Sequence, residues 1–272
     1  MELGRKRAAF AKEGLNVASV SYDSVAVLKA FGDRVGIPYP MLSDPDSRII
    51  RDFGIFHERT EPGTLFYGIP YPGTYIVDAQ GVVRHKFFEP DYRERSTAGS
   101  ILLKTWSEAG PEGWREIETE HLKLRYRASD EMAYGGSRVT LLLDISLKPN
   151  MHVYAPGVRG GYIPVDWTIS PGAWRTWGAH WPAPRTLRLE AIQETVPVYT
   201  GALTASRDVT FAEEKELFSA AGSFRTVAVE GVFRYQACDE KECFRPVILP
   251  LRWTFPVGAH DRVRAPEALQ RR

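Results

Sequence analysis

Apolar and polar positions alternate along this chain in two rhythms, and the change between them falls near residue 110. Up to about residue 109 helical and strand-like stretches take turns. "ELGRKRAAFAKEG" predicts a helix closed by Gly14, and "LNVASVSYD" a short strand with Val17 and Val20 near its centre. Ser24 is placed to cap a helix through "VAVLKAFGDRVG", where Val27, Leu28 and Phe31 share a face. Asp44-Pro45-Asp46 opens a second helix, with Ile49, Ile50 and Phe53 apolar and Gly54 as its stop. "GTYIVDAQGVVRHKFF" predicts a strand, a turn at Asp78 to Gly81 and a returning strand. A final helix is expected from Arg93 to Trp106. This order is that of an α/β domain, placed at residues 1–109.

"EAGPEGW" (108–114) is a Gly/Pro linker signal, and a linker is expected at 110–119. From residue 120 onward the alternation is strand-like. "HLKLRYRAS" puts Leu122, Leu124 and Tyr126 on one face, and "RVTLLLDISL" runs into the turn Lys148-Pro149-Asn150. "FRTVAVEGVFRYQAC" alternates Val227, Val229, Phe233 and Tyr235 against polar neighbours, with Gly231 expected to form a bulge. "VILPLRWTF" keeps Val247, Leu249, Leu251, Trp253 and Phe255 in phase. Many short strands broken by Gly and Pro predict an immunoglobulin-like antiparallel β-sandwich over 120–257. The polar stretch 258–272 is expected to fray. Trp167, Trp174, Trp177 and Trp181 make an aromatic-rich stretch, read as core and loop packing rather than as a ligand surface.

Composition narrows the function classes. The 272 residues are 43% hydrophobic and 25% charged, as in globular proteins. Thirty-five basic against 34 acidic residues, scattered rather than clustered, leave no electrostatic footprint for nucleic acid. No apolar run approaches the length of a membrane span, and "MELGRKRAAF" does not read as a secretory signal. Nothing in the sequence calls for a cofactor.

The candidate chemistry lies in "YQACDEKECFRP" (235–246), which holds both cysteines, Cys238 and Cys243. If Tyr235 to Ala237 and Arg245 to Val247 are hairpin arms, the two cysteines face each other. Facing Cα atoms lie about 4.5 or 5.5 Å apart, within the roughly 4.4 to 6.8 Å that a disulfide accepts. As a staple the bond is weak, because closing a six-residue loop contributes about 2 kcal/mol. Structural zinc wants four ligands, and His121, His152 and His180 stand alone, as ordinary surface or core histidines do. Redox exchange needs two close thiols on an exposed turn and a bond whose loss leaves the fold standing. Asp239, Glu240 and Glu242 should raise the thiol pKa values, while Lys241 and Arg245 oppose them. Spacing alone leaves the redox and the structural readings both open.

Two resemblances add to this. "VSYDSVAVLKAFGDRVGIPYPMLSDPD" together with "PGTYIVDAQGVV" resembles the peroxiredoxin and thioredoxin-like (redoxin, AhpC/TSA) family of antioxidant proteins over about residues 1–105. The resemblance implies a thioredoxin-like fold, with Pro72 as the cis proline that faces the redox cysteine. Residues 1–237 contain no cysteine, however. A peroxidase reaction needs a thiolate, so this chain is not expected to be a peroxidase. The first strand and redox cysteine of such a domain are expected to be missing, through truncation ahead of Met1 or, alternatively, through degeneration of the fold.

"VEGVFRYQACDEKECFRPVILPL" resembles the amino-terminal domain of the DsbD thiol–disulfide interchange family, with its Tyr-Gln-x-Cys, short loop and Cys-x-x-Pro. "ISLKPNMHVYAPG" and "VPVYTG" extend the match to about residues 120–255. The resemblance implies an immunoglobulin-like sandwich whose Cys238 and Cys243 are the redox pair, Cys243 attacking and Cys238 resolving. It also implies Pro246 and Tyr154 beside the site, and a protective cap loop near "LEAIQE" (189–194), in which no aromatic lid is visible. Thiol–disulfide redox proteins are the implied partners, with a membrane electron donor possible among them, in an extracytoplasmic or periplasmic setting. The expected function is a thiol–disulfide oxidoreductase or electron-relay module; a non-catalytic interaction module with a structural disulfide is the alternative.

Overall fold

The computed structural model describes residues 2–64, 66–89, 91–106, 113–189 and 193–269. Part of the expected linker and residues 190–192 of the expected cap loop lie outside the described residues. The chain separates into two compact units, residues 1–109 with 260–272, and residues 110–259.

The first unit runs α1 (Glu2–Lys12), β1 (Ser19–Ser21), α2 (Val25–Val35), β2 (Met41–Ser43), α3 (Arg48–Asp52), β3 (Gly73–Val77), β4 (Val83–Phe88), β5 (Arg95–Ser96) and α4 (Ala98–Trp106). Its sequence signals act locally. Ser24 Oγ accepts from the Val27 amide at 3.4 Å, and α2 ends at Gly36, whose φ of 70° suits glycine. The Asp44 carboxylate accepts from the Arg48 and Ile50 amides at 3.0 and 2.8 Å, opening α3. Asp78 Oδ1 accepts from the Gln80 and Val82 amides and folds the β3–β4 turn. The last helix starts at Ala98, not at Arg93, because Thr97 supplies its cap: Thr97 Oγ1 accepts from the Ser100 amide at 3.0 Å. Phe10 of α1 packs with Ala98, Ile101 and Leu102 of α4.

β1 and β2 pair in parallel and β3 and β4 antiparallel, as two separate pairs among the described residues. Every described peptide bond is trans, so Pro72 lacks the cis geometry implied by the family resemblance. Trans is the default for X-Pro by about 0.5–1 kcal/mol, and no cysteine in residues 1–237 stands ready to face this proline. Asp261, in the stretch expected to be a polar tail, pairs with Arg34 at 2.7 Å.

The second unit comprises β6 (Arg115–Glu118), β7 (Leu122–Ala128), β8 (Ala133–Tyr134), β9 (Ser137–Leu147), β10 (His152–Tyr154), β11 (Asp166–Ile169) and β12 (Trp174–His180). These are followed by β13 (Arg185–Leu189), β14 (Glu194–Thr200), β15 (Ala202–Phe211), α5 (Glu214–Ala221), β16 (Thr226–Tyr235), β17 (Ala237–Cys238) and β18 (Val247–Gly258). Strands pair in the orders β12-β15-β9-β7-β6, β11-β16-β18-β8 and β13-β14-β10-β17. The period-2 pattern explains the first two sheets. Leu249, Leu251, Trp253, Phe255 and Val257 of β18 are buried while the residues between them are exposed. Leu122, Leu124 and Tyr126 of β7 are buried in the same core. Tyr126 meets Trp253 and Phe211 meets Phe255, edge to face, with ring centroids 5.3 and 5.2 Å apart. The faces of these two sheets therefore share one core, in which each large side chain contributes about 1.5–3 kcal/mol. Tyr235 lies wholly inside it, with its hydroxyl 2.8 Å from Thr119 Oγ1. Trp167 is buried, as its reading as core requires.

Gly231 does not form the expected bulge: β16 pairs with β18 without a break in register from Thr226 to Tyr235. Close approach explains the glycine instead. A Cβ there would lie 2.6 Å from the Thr168 carbonyl oxygen and 2.8 Å from Ile169 Cδ1 on β11. Gly231→Ala is expected to cost about 1–3 kcal/mol, as other overpacking changes do, and a urea unfolding midpoint equal to that of the wild type would refute this.

Pro250 and Pro256 sit on β18, opposite Val232 and Thr226. Neither can donate to β16, so both nitrogens face the outer edge, where among the described residues β18 pairs with β8 only at Val257 and Gly258.

Candidate functional site

The β16–β18 hairpin closes at the pair Tyr235–Val247, and the loop between these residues carries both cysteines. The expected arms meet at their base, and Cys238 faces Cys243 across the turn in an antiparallel bridge, as the hairpin geometry predicts. Beyond Tyr235 the chain leaves β18, and β17 pairs instead with β10, setting Cys238 opposite His152 and Ala237 opposite Val153. The loop is folded by its own polar groups. Gln236 Nε2 donates to the Phe244 carbonyl at 2.9 Å, and the Phe244 amide donates to the Ala237 carbonyl at 2.9 Å. The Asp239 amide donates to the Glu242 carbonyl, while Asp239 Oδ1 accepts from the Lys241 and Glu242 amides at 2.7 and 2.8 Å.

Across this turn Cys238 and Cys243 are joined in a disulfide, with Cα atoms 4.0 Å apart. Its two halves differ in surroundings. Cys238 is only 1% exposed and packs with Tyr154, Val196 and Val198. Cys243 is exposed. Tyr154, from β10, places its hydroxyl 3.7 Å from Cys243 Sγ, and burial raises its pKa. Tyr162 packs on Tyr154 with ring centroids 4.5 Å apart and donates its hydroxyl to Glu194. That hydrogen bond, ahead of burial, pushes Tyr162 up to about 12. Tyr162, from the loop after β10, thus packs over Tyr154 and is held there by Glu194, the described end of the expected cap segment.

Of the residues singled out from the sequence, Cys238, Cys243 and Tyr154 come together. Pro246 lies exposed on the same loop, next to the start of β18. Pro72 belongs to the other unit. Sequence reasoning missed His152, dismissed as a lone histidine, and Tyr162. Strand parity in "MHVY" was the available signal, since His152 shares the face of Tyr154. His152 is 7% exposed, and its pKa is lowered by burial, with Asp239 acting in the opposite direction. His121 also lies by the loop, its ring 4.6 Å from that of Phe244. Among the described residues no group of three or more His, Cys, Asp or Glu side chains is placed to hold a metal ion.

Amide hydrogen bonds from Glu242 and Lys241 hold the Asp239 carboxyl below its ordinary value near 3.8. A depressed folded-state pKa gives a contribution that is complete above the unfolded value and lost as pH falls through the lower, folded one. The 239–242 turn is therefore expected to keep its hydrogen bonds through pH 4 and to loosen only in stronger acid. Amide exchange of Lys241 and Glu242 followed against pH checks this, and loosening already near pH 5 would contradict it.

The strand–helix order of the first unit, with its β3–β4 hairpin turned by Asp78, is the part of the chain that known proteins place. Residues 1–86 match the model of the AhpC/TSA family. Chloroplastic peroxiredoxin Q of Arabidopsis thaliana is 35% identical over 85 residues, covering 30% of this chain and 37% of the relative. That of Suaeda salsa is 34% identical over the same length and the same shares. The chain thus spans little more than a third of these curated relatives. The AhpC/TSA match carries no cysteine of this chain. It covers a thioredoxin-like region, followed by a mostly β region of several sheets. A structure search finds the N-terminal periplasmic domain of ScsB from Proteus mirabilis, at 15% identity and a TM-score of 0.37 over 53% of this chain and 50% of that one. Among the described residues no helix is long and apolar enough to cross a membrane.

Proposed function

We propose that the second unit exchanges disulfides with protein partners through Cys238 and Cys243, as a thiol–disulfide oxidoreductase or electron-relay module. The asymmetry of the disulfide carries this reading: Cys243 is exposed while Cys238 lies in an apolar cradle. An incoming thiolate can reach only one sulfur, and after reduction the exposed thiol is the one that meets a partner disulfide. The bond closes a short loop beside the main core, so opening it costs the fold little.

In this reading Cys243 attacks and Cys238 resolves, with Tyr154 and Pro246 shaping the surface that a partner meets. The unit is an immunoglobulin-like sandwich related to the DsbD amino-terminal domain, supported by the Tyr-Gln-x-Cys and Cys-x-x-Pro spacing. Its partners are thiol–disulfide redox proteins, including a membrane-bound electron donor, in an extracytoplasmic compartment where such disulfides persist. The domain limits in this reading are 1–109 and 120–257.

The reduction potential of the pair tests the proposal. A value near those of exchange proteins, about −120 to −270 mV, supports it; one well below about −300 mV marks a structural bond in a non-catalytic interaction module. Cys238→Ser, which removes the resolving thiol, should leave a partner trapped on Cys243, and absence of any trapped species under the same conditions contradicts exchange.

A further inference from the structure

We infer that His152 is the proton acceptor that lets the buried Cys238 resolve the mixed disulfide. The inference rests on the exchange reading above and adds to it a residue that positions and moves a proton.

A resolving thiol must lose its proton before it attacks, and Cys238 is held where water has little access: it is 1% exposed, among Tyr154, Val196 and Val198. Desolvation disfavours the thiolate in such a place. His152 is its direct cross-strand partner. Directly opposed residues of an antiparallel pair carry their side chains on one face, with Cβ atoms about 4.5–5.5 Å apart. The imidazole is itself 7% exposed, and its Nε2 is buried without a hydrogen-bond partner among the described residues. A buried polar nitrogen left unpaired costs about 1–3 kcal/mol, so it is an exception that wants a reason. In the disulfide form Cys238 has no proton to offer; in the dithiol form it has one.

The surroundings suit a neutral base. From β14, Thr200 lies opposite His152, and neither it nor Val198 beyond it carries a charge. From β17 and its turn come Cys238 and Asp239, and along β10 the Tyr154 ring stands edge to face at 5.6 Å. Burial lowers the imidazole pKa and Asp239 partly opposes this. The ring is thus neutral and ready to accept near pH 7, with a carboxylate placed to steady the imidazolium once it forms.

The sequence of steps balances. Cys243 thiolate attacks one sulfur of a partner disulfide; the Cys243–partner bond forms, the partner S–S bond breaks, and the leaving thiolate takes a proton from solvent. Cys238 then gives its proton to His152, and its thiolate attacks Cys243 Sγ. The Cys238–Cys243 bond forms as the Cys243–partner bond breaks, and the second partner thiolate leaves and is protonated by the imidazolium or by solvent. The cysteine pair loses two electrons and the partner disulfide gains them.

The test uses the reduced full chain and oxidised glutathione, following the glutathionylated intermediate and its resolution separately by quenching and mass spectrometry from pH 5 to 9. His152→Gln is expected to leave formation of the intermediate within about twofold and to slow its resolution at pH 7 by about a hundredfold, the low end for a lost general base. Wild-type resolution should rise with pH and level off below pH 7; that of H152Q should keep rising toward the thiol's own pKa. Equal resolution rates and equal pH profiles overturn the inference, as does equal slowing of both steps, which marks a structural role. If the wild type forms no intermediate at all, the exchange reading falls and this inference with it. A measurement on the wild type guards against a variant that does not fold: the His152 ring nitrogen resonances should shift between disulfide and dithiol forms, and identical spectra in the two forms overturn the assignment.

Discussion

Cys243→Ser is expected to bring disulfide exchange down to the uncatalysed background while leaving the fold in place. The two halves of the expectation have separate causes. A serine hydroxyl is not ionised near neutral pH and cannot take part in thiol exchange, and the remaining thiol, Cys238, is buried. A partner disulfide therefore meets no nucleophile at the surface. Stability should change far less, because the lost cross-link closed only a six-residue loop, worth about 2 kcal/mol in chain entropy. The hydrogen bonds that Asp239 Oδ1 accepts from the Lys241 and Glu242 amides do not involve the cross-link and should hold the turn without it. Exchange assays on reduced protein, paired with urea unfolding, separate the two effects. Exchange comparable to the wild type would place the chemistry elsewhere, and loss of folded protein would make the bond a structural staple.

The largest stability loss is expected from Phe233→Ala. Phe233 is 0% exposed at the centre of the shared core. Its ring stacks on Tyr235 at 5.7 Å and meets Trp181 at 6.4 Å, and it lies between Trp167 and Leu249 on the neighbouring strands. Removing a fully buried phenyl costs its transfer free energy and leaves a cavity that rigid aromatic neighbours cannot fill, about 3–5 kcal/mol together. Domains of this kind are stable by about 5–15 kcal/mol, so the urea midpoint should fall sharply. A loss below 1 kcal/mol would show that the core collapses around the gap, or that the ring is less enclosed than its burial implies.

What could be read from the sequence follows the range of the forces involved. β18 was legible because its alternation is sustained over a strand with one buried face. The start of α2 was legible because Ser24 and its amide partner are three residues apart. The start of α4 was misplaced since Arg93 to Ser96 carry no strong helix or strand signal, and Thr97 outweighed them. The place of Gly231 in a strand suggests a bulge; its real constraint, the nearness of Thr168, comes from a strand more than sixty positions away. The cysteine pair was visible as a local motif. The pairing of β17 with β10, which brings in His152 and Tyr154, joins segments over eighty residues apart, and no local pattern encodes it. Tyr162 escaped for the same reason: its hydroxyl is held by Glu194, across three intervening strands.

The two prolines of β18 bear on how a partner can be recognised. Their nitrogens face the outer edge of the sheet, and the Arg252 carbonyl between them already accepts from the Arg115 guanidinium. An incoming strand would find donors missing at two positions and an acceptor occupied at a third. Such an edge is a poor template for another chain's backbone. It guards this edge against edge-to-edge aggregation; under the exchange reading proposed above, a partner would meet the side chains of the cysteine loop and would not add a strand here.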